Sequence, residues 1–233
     1  MMKIDFNQQV RQFLDTIRDK ADYLPTEDEK AILRKYDACD DYSLDDGLIT
    51  KMWDELGEVF PELDSIVGGF PVQILHLNGG QGLVLEKCPE NAVIRNLSQD
   101  FTCREISDLL CAKRTVGEQI TYSSEVFDLS NYFVGGDSGN NPHFDIIIYQ
   151  AVKTDYFKEL DNGLYKYLPH YAYYVVRSLD FLVDGGYICI FCSNFEYDKL
   201  KKIDIIQERF KESRRSIKTK SDSHYNCLIL QKK

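Results

Sequence analysis

The sequence predicts an α/β fold: a mostly parallel twisted sheet with helices on both faces and an antiparallel C-terminal edge, preceded by an N-terminal helical segment. Three observations carry this expectation. From Phe70 onward, short apolar runs alternate with helix-length amphipathic stretches, the pattern of parallel strands joined by crossover helices. One such run, Ile74-Leu75-His76-Leu77, passes directly into Asn78-Gly79-Gly80-Gln81-Gly82, a strand ending on a glycine corner. Before Phe70 the apolar stripes have helical spacing instead. At 233 residues the chain suits one large domain or one domain with an appendage, and the change of pattern divides it into a helical segment, 1–67, packing on a core of 68–233.

The N-terminal elements follow in order. Val10, Phe13, Leu14 and Ile17 share one helical face. Thr26, with Glu29 three residues on, is a capping-box signature before Ala31-Ile32-Leu33. Ser43 with Asp46 repeats that start signal, and Leu48, Ile49, Met52, Trp53, Leu56, Val59 and Phe60 form the broadest apolar face before Pro61 stops it. Such a stripe reads as core; if exposed, the Trp53 helix would be a docking face. These helices are expected to form a lid or flank on the main domain. In the main domain, strands are expected over 72–77, 101–106, 119–122, 144–149 and 187–192. A helix over 164–182 precedes Asp184-Gly185-Gly186 as its left-handed stop, and another is expected over 199–210. The runs 213–219 and 225–230 are close enough in sequence to be antiparallel edge strands.

Composition excludes several classes. With 43% hydrophobic and 28% charged residues the chain is neither disordered nor fibrous. No apolar run approaches the roughly 18 residues of a membrane helix, and residues 1–13 mix charged with apolar positions, so a soluble, cytoplasmic protein with no membrane partner is expected. The seven cysteines are odd in number and scattered, as buried thiols without disulfides would be. Cys189-Ile-Phe-Cys192 has redox or zinc spacing, but on a strand its ends point to opposite faces. His76, His143, His170 and His224 have neither metal-like spacing nor a nucleophile motif beside them, so no metal site and no hydrolase is expected. A net charge of −10 argues against a non-specific grip on a polyanion. The basic stretch 199–220 reads as a solvated helix and strand edge, with a local nucleic-acid face as the alternative.

The glycine corner is the informative motif. Glycines there let the backbone approach a cofactor and adopt torsions that a side chain forbids, although tight turns also use them for purely structural ends. Glu105 follows Gly82 by 23 positions, close to where nucleotide-binding folds place an acid whose carboxylate accepts two hydrogen bonds from a ribose diol. A dinucleotide fingerprint would need a glycine where Leu85 stands, so the adenosine of S-adenosylmethionine fits better than a pyrophosphate.

On these residues the chain from about Ser43 onward resembles the catalytic domain of adenine-specific, amino-methylating DNA methyltransferases. The segment from Ile74 to Gly82 is similar to that family's cofactor loop. Glu105 falls on its ribose-binding acid, and Ser124-Glu125-Val126-Phe127 on the segment that holds the adenine ring. Phe144-Asp145-Ile146-Ile147-Ile148-Tyr149 is similar to the strand leading to the catalytic tetrapeptide. The resemblance implies a class I methyltransferase, Rossmann-like fold with S-adenosylmethionine as cofactor. The implied cofactor-binding set is His76, Asn78, Gly79, Gly80, Gly82, Glu105, Glu125 and Val126.

Two departures define the functional expectation. His76 stands where the family carries an acid that helps hold the methionine end of the cofactor. Gln150-Ala151-Val152-Lys153 stands where the family has Asn or Asp, two prolines and an aromatic ring that stacks on the extruded base. Gln150 keeps an amide at the catalytic position on a longer arm, while the rigid turn and the ring are lost; Tyr149 or Tyr156 could supply a ring from elsewhere. Asn141-Pro142-His143-Phe144 resembles the missing tetrapeptide by letters but precedes its strand, at the wrong end of the sheet. The expectation is a catalytically degenerate methyltransferase-like protein: a non-catalytic subunit, regulator or cofactor-binding module. The alternative is an active enzyme on adenine in DNA or on another amine. No segment is large enough for a separate DNA-recognition domain, so a partner protein is expected to supply specificity.

Overall fold

The computed structural model describes residues 5–36, 46–60, 71–77, 82–90, 92–98, 100–114, 122–126, 143–150, 170–219 and 225–233. Helices α1 (Phe6–Ile17), α2 (Glu27–Leu33) and α3 (Asp46–Gly57) come first. Asp5 caps α1 by accepting from the Gln8 amide at 3.2 Å. The Thr26 and Glu29 capping box forms on α2, each side chain accepting from the other's backbone amide. In α3, Leu48, Ile49, Met52, Trp53 and Leu56 are all buried, and the indole of Trp53 donates to the Val84 carbonyl at 2.7 Å. That face is core, which removes it as a docking surface.

The sheet has seven strands in the order β3-β2-β1-β4-β5-β7-β6. They are β1 (Val72–Leu77), β2 (Ala92–Ser98), β3 (Tyr122–Val126), β4 (Phe144–Gln150), β5 (Leu182–Cys192), β6 (Phe210–Glu212) and β7 (Asn226–Lys232). Strands β1 to β5 pair in parallel, and β7 runs antiparallel between β5 and β6, as the expected edge requires. Between them lie α4 (Leu83–Glu86), α5 (Phe101–Leu110), α6 (His170–Arg177), α7 (Asn194–Leu200) and α8 (Asp204–Arg209). Every residue of β4 is buried, as a central strand covered on both faces must be. One face packs on α3 and α4, and the other on α6, α7 and α8. A third cluster joins Val10, Leu14 and Ile17 of α1 and Leu33 of α2 to Cys103, Ile106 and Leu110 of α5.

Several expected elements differ. Residues 101–106 form the first turns of α5 and not a strand: Asp100 accepts from the Cys103 amide at 2.9 Å, and Cys103, Ile106 and Leu110 bury one helical face. The strand expected there is β2, nine residues earlier. Gly185 and Gly186 lie inside β5 and do not stop a helix. Gly185 has φ +79°, and a Cβ on Gly186 would lie 2.9 Å from the Asp145 carbonyl, next to a register shift between Phe144 and Ile146. The preceding helix runs instead into a 3-10 turn, Ser178–Asp180. The helix expected over 199–210 is split into α7 and α8, and of the run 213–219 only Ile217 bridges to Cys227. Cys189 and Cys192 do face opposite sides of β5. Cys88, Cys111, Cys189, Cys192 and Cys227 are buried free thiols, whereas Cys103 is disulfide-bonded, against the expectation of none. Among the described residues no helix is long and apolar enough to cross a membrane.

Candidate functional site at the sheet switch point

Strand order reverses between β1 and β4: β2 and β3 lie to one side, β5 to the other. In open parallel sheets the crevice for ligands forms beyond the carboxyl ends of the strands at such a point. Gly82 sits there as the N-cap of α4 with φ +73°, and its carbonyl accepts from the Leu85 amide at 2.9 Å. A Cβ at Gly82 would lie 2.3 Å from Ser107 Oγ, so both torsion and space demand glycine. Asn78, Gly79 and Gly80 lie outside the described residues.

His76 occupies the penultimate position of β1 and is fully buried, and among the described residues neither ring nitrogen meets a partner at hydrogen-bond geometry. Burial pushes its pKa down to about 3, against weak opposition from Asn96, so the imidazole is neutral. Asn96, its register neighbour on β2, directs its amide elsewhere, to Ser107 Oγ at 2.9 Å, Ser98 Oγ at 3.3 Å and Tyr122 OH at 3.4 Å. Ser107 Oγ and Tyr122 OH are 2.5 Å apart. This buried polar cluster under the corner was not anticipated, because its members lie on β2, α5 and β3, two of which the sequence pattern misassigned.

Glu105 requires a correction. It lies in the second turn of α5, where its oxygens accept from Arg18 Nε at 2.9 Å and Nη2 at 3.1 Å. The carboxylate thus ties α1 to α5 and is not the acid closing the second strand. That strand ends at Ser98, and the first acid beyond it is Asp100, exposed at the carboxyl end of the sheet while capping α5. Phe101 follows with 57% of its surface exposed, off the buried stripe of its helix. The signal for both was present: an aspartate three residues before Cys103, ahead of apolar positions at helical spacing.

Glu125 and Val126 reach the carboxyl end of β3 in register with Leu97 and Ser98. Gln150 is the last residue of β4, buried and paired in register with Phe191. Ala151, Val152, Lys153 and Tyr156 lie outside the described residues. Tyr149 is only 1% exposed and packs on Tyr174 with ring centroids 5.9 Å apart, so it cannot supply a stacking ring. His143 precedes β4, at the opposite end of the sheet from Gln150. At the rim beyond β5, Phe195 is 65% exposed, with Lys199 Nζ 5.3 Å from its ring centroid. Among the described residues no group of three or more His, Cys, Asp or Glu side chains could hold a metal ion.

The strand order, the antiparallel β7 and the glycine corner at the switch point define the Rossmann-like fold of class I methyltransferases. Solved structures agree. A protein from Listeria monocytogenes described as a class I S-adenosylmethionine-dependent methyltransferase superposes with a TM-score of 0.53 and 11% identity, over 98% of this chain and 88% of its own. An rRNA methylase from Streptococcus thermophilus gives 0.52 at 13% identity, over 82% of this chain and 99% of its own. At such identities the likeness is one of fold. No protein-family model matches the sequence, and no curated protein matches it.

Proposed function

We propose that the chain binds S-adenosylmethionine at the carboxyl ends of β1 and β2 and is catalytically degenerate, acting as a non-catalytic subunit or regulator with a partner protein. The observation that carries this reading is the corner at Gly82, left-handed and closed to any side chain, at the point where strand order reverses. Asp100 takes over the role first given to Glu105: one carboxylate oxygen caps α5 while the group faces solvent at the strand end, where a ribose diol would donate to it. Phe101 offers an exposed ring beside it for the purine. The cofactor supplies an electrophilic methyl group; the chain's residues bind and orient it. Neutral His76 brings no negative charge toward the cofactor's ammonium, which lowers affinity without abolishing binding.

Degeneracy rests on Gln150-Ala151-Val152-Lys153. A misplacement of about 1 Å at a reacting centre costs around a hundredfold in rate, and each lost base-stacking contact roughly 1–3 kcal/mol. The amide of Gln150 at the carboxyl end of β4 supports the second reading, an active enzyme on adenine or another amine. Calorimetric titration with S-adenosylmethionine should show saturable binding, and its absence would sink the cofactor reading. Incubation with methyl-labelled cofactor and DNA should leave the DNA unlabelled. Labelling that disappears in Gln150→Ala would refute degeneracy and establish the second reading.

A further inference from the structure

A cavity of about 520 Å³ opens at the amino end of β2, at the opposite end of the sheet from Gly82 and independent of the cofactor reading. Its size lies within the range of small-molecule pockets, roughly 300–1,000 Å³. α2, α4 and the end of α5 enclose it, with Lys30, Glu86, Glu90, Cys111, Lys113 and Arg114 among its lining residues.

The charges in this wall do not cancel. Lys30 is neutralised by Glu27 at 2.8 Å, and Glu86 by Arg34. Arg114 is half-buried and donates to the carbonyls of Ala92 at 3.2 Å, Pro89 at 2.7 Å and Cys88. Those carbonyls fix the guanidinium but do not neutralise it, and the rest of its donor fork stays unspent. Among the described residues no carboxylate pairs with Arg114, and Lys113, exposed beside it, forms neither an ion pair nor a hydrogen bond; its charge acts at longer range on Glu27, which Lys30 and Arg34 already pair. Cys88 and Cys111 add no negative charge, because burial pushes both thiols up to about 12. Among the described lining residues, Glu90 is the one unpaired acid. Arg114, held by the backbone, and the exposed Lys113 beside it outweigh Glu90 and form a local positive well in a chain of net charge −10.

We propose that this cavity is a binding site for a small oxyanion-bearing molecule, its carboxylate or phosphate held by Arg114 and Lys113 and a hydrogen-bond donor on the same molecule facing Glu90. Arg114 recognises a planar or tetrahedral oxyanion because its position is already set by the backbone, and Lys113 closes over the anion as a flexible point charge.

Thermal unfolding and calorimetry of the full chain test this with inorganic phosphate and L-glutamate as separate probes and sodium chloride at matched ionic strength. One of the two probes should raise Tm by roughly 2–4 °C at a few times its Kd, and which one does so distinguishes phosphate from carboxylate. Lys113→Glu, at an exposed position, should weaken that probe at least about tenfold, and Lys113→Arg should retain it. The Lys113 variants carry the test because Arg114 also holds three backbone carbonyls that folding needs. No shift with either probe, an equal shift with chloride, or unaltered binding in Lys113→Glu overturns the proposal.

Discussion

Asp100 and Glu105 are separated by little more than one helical turn, yet the structure gives them different tasks. Asp100 faces solvent beyond β2, whereas both oxygens of Glu105 are engaged by Arg18. Asp100→Asn keeps the cap but removes the charge, and it should weaken S-adenosylmethionine roughly tenfold in a calorimetric titration. Glu105→Gln should leave that affinity unchanged; a loss confined to Glu105→Gln would overturn the proposed assignment to Asp100. His76 makes a separate prediction. Its folded pKa of about 3 lies below the ordinary 6.5, so between those values the unfolded chain takes up the proton and the folded chain does not. The contribution is intact above pH 6.5 and is lost as pH falls toward 3, by up to about 1.4 kcal/mol per pH unit. Urea unfolding across that window should show the slope in the native chain and a shallower one in His76→Leu; parallel curves would mean that the imidazole titrates alike in both states.

At the scale of elements, Gly82 joins β1 to α4 under two constraints, a left-handed torsion and Ser107 Oγ in the space of its missing side chain. Gly82→Ala should destabilise by about 1–3 kcal/mol in chemical denaturation, and Ser107→Ala in the same chain should recover only part of that, since the torsional strain persists. This element was legible because strand-to-glycine punctuation is local. The strands β1 and β4 were legible for a related reason: a strand buried on both faces is dense in apolar residues, here Val72, Ile74, Leu75 and Leu77 in β1 and Ile146-Ile147-Ile148 in β4. β2 was not, because Arg95 and Asn96 interrupt its run, while the apolar positions from Phe101 to Leu110 suit a strand as well as a helix until the Asp100 cap is counted. Gly185 and Gly186 misled in the opposite direction. Glycine serves a bulge in a strand as readily as a helix stop, and only the pairing of β5 with β4 distinguishes the two.

For the whole molecule, the N-terminal helices are part of the packing. α1 and α2 share a buried cluster with α5, α3 packs on the sheet, and Arg18–Glu105 and Arg34–Glu86 tie the same surfaces together. Residues 68–233 alone should therefore unfold without a cooperative transition and bind a hydrophobic dye, since the partners of Ile106 and Leu110 would be gone. A sharp thermal transition and native near-UV circular dichroism from that fragment would show 1–67 to be dispensable.

By itself the sequence determined the parallel sheet, its antiparallel edge and the glycine corner, because these are written in local periodicity and in residues with restricted torsions. The tertiary structure decided which acid stands beyond the carboxyl end of β2, that His76 is buried and neutral, and that Trp53 is core. It also decided that cations distant in sequence from Lys30 line one cavity with it. Burial and charge pairing depend on what other parts of the chain bring alongside a residue, and no local pattern encodes that.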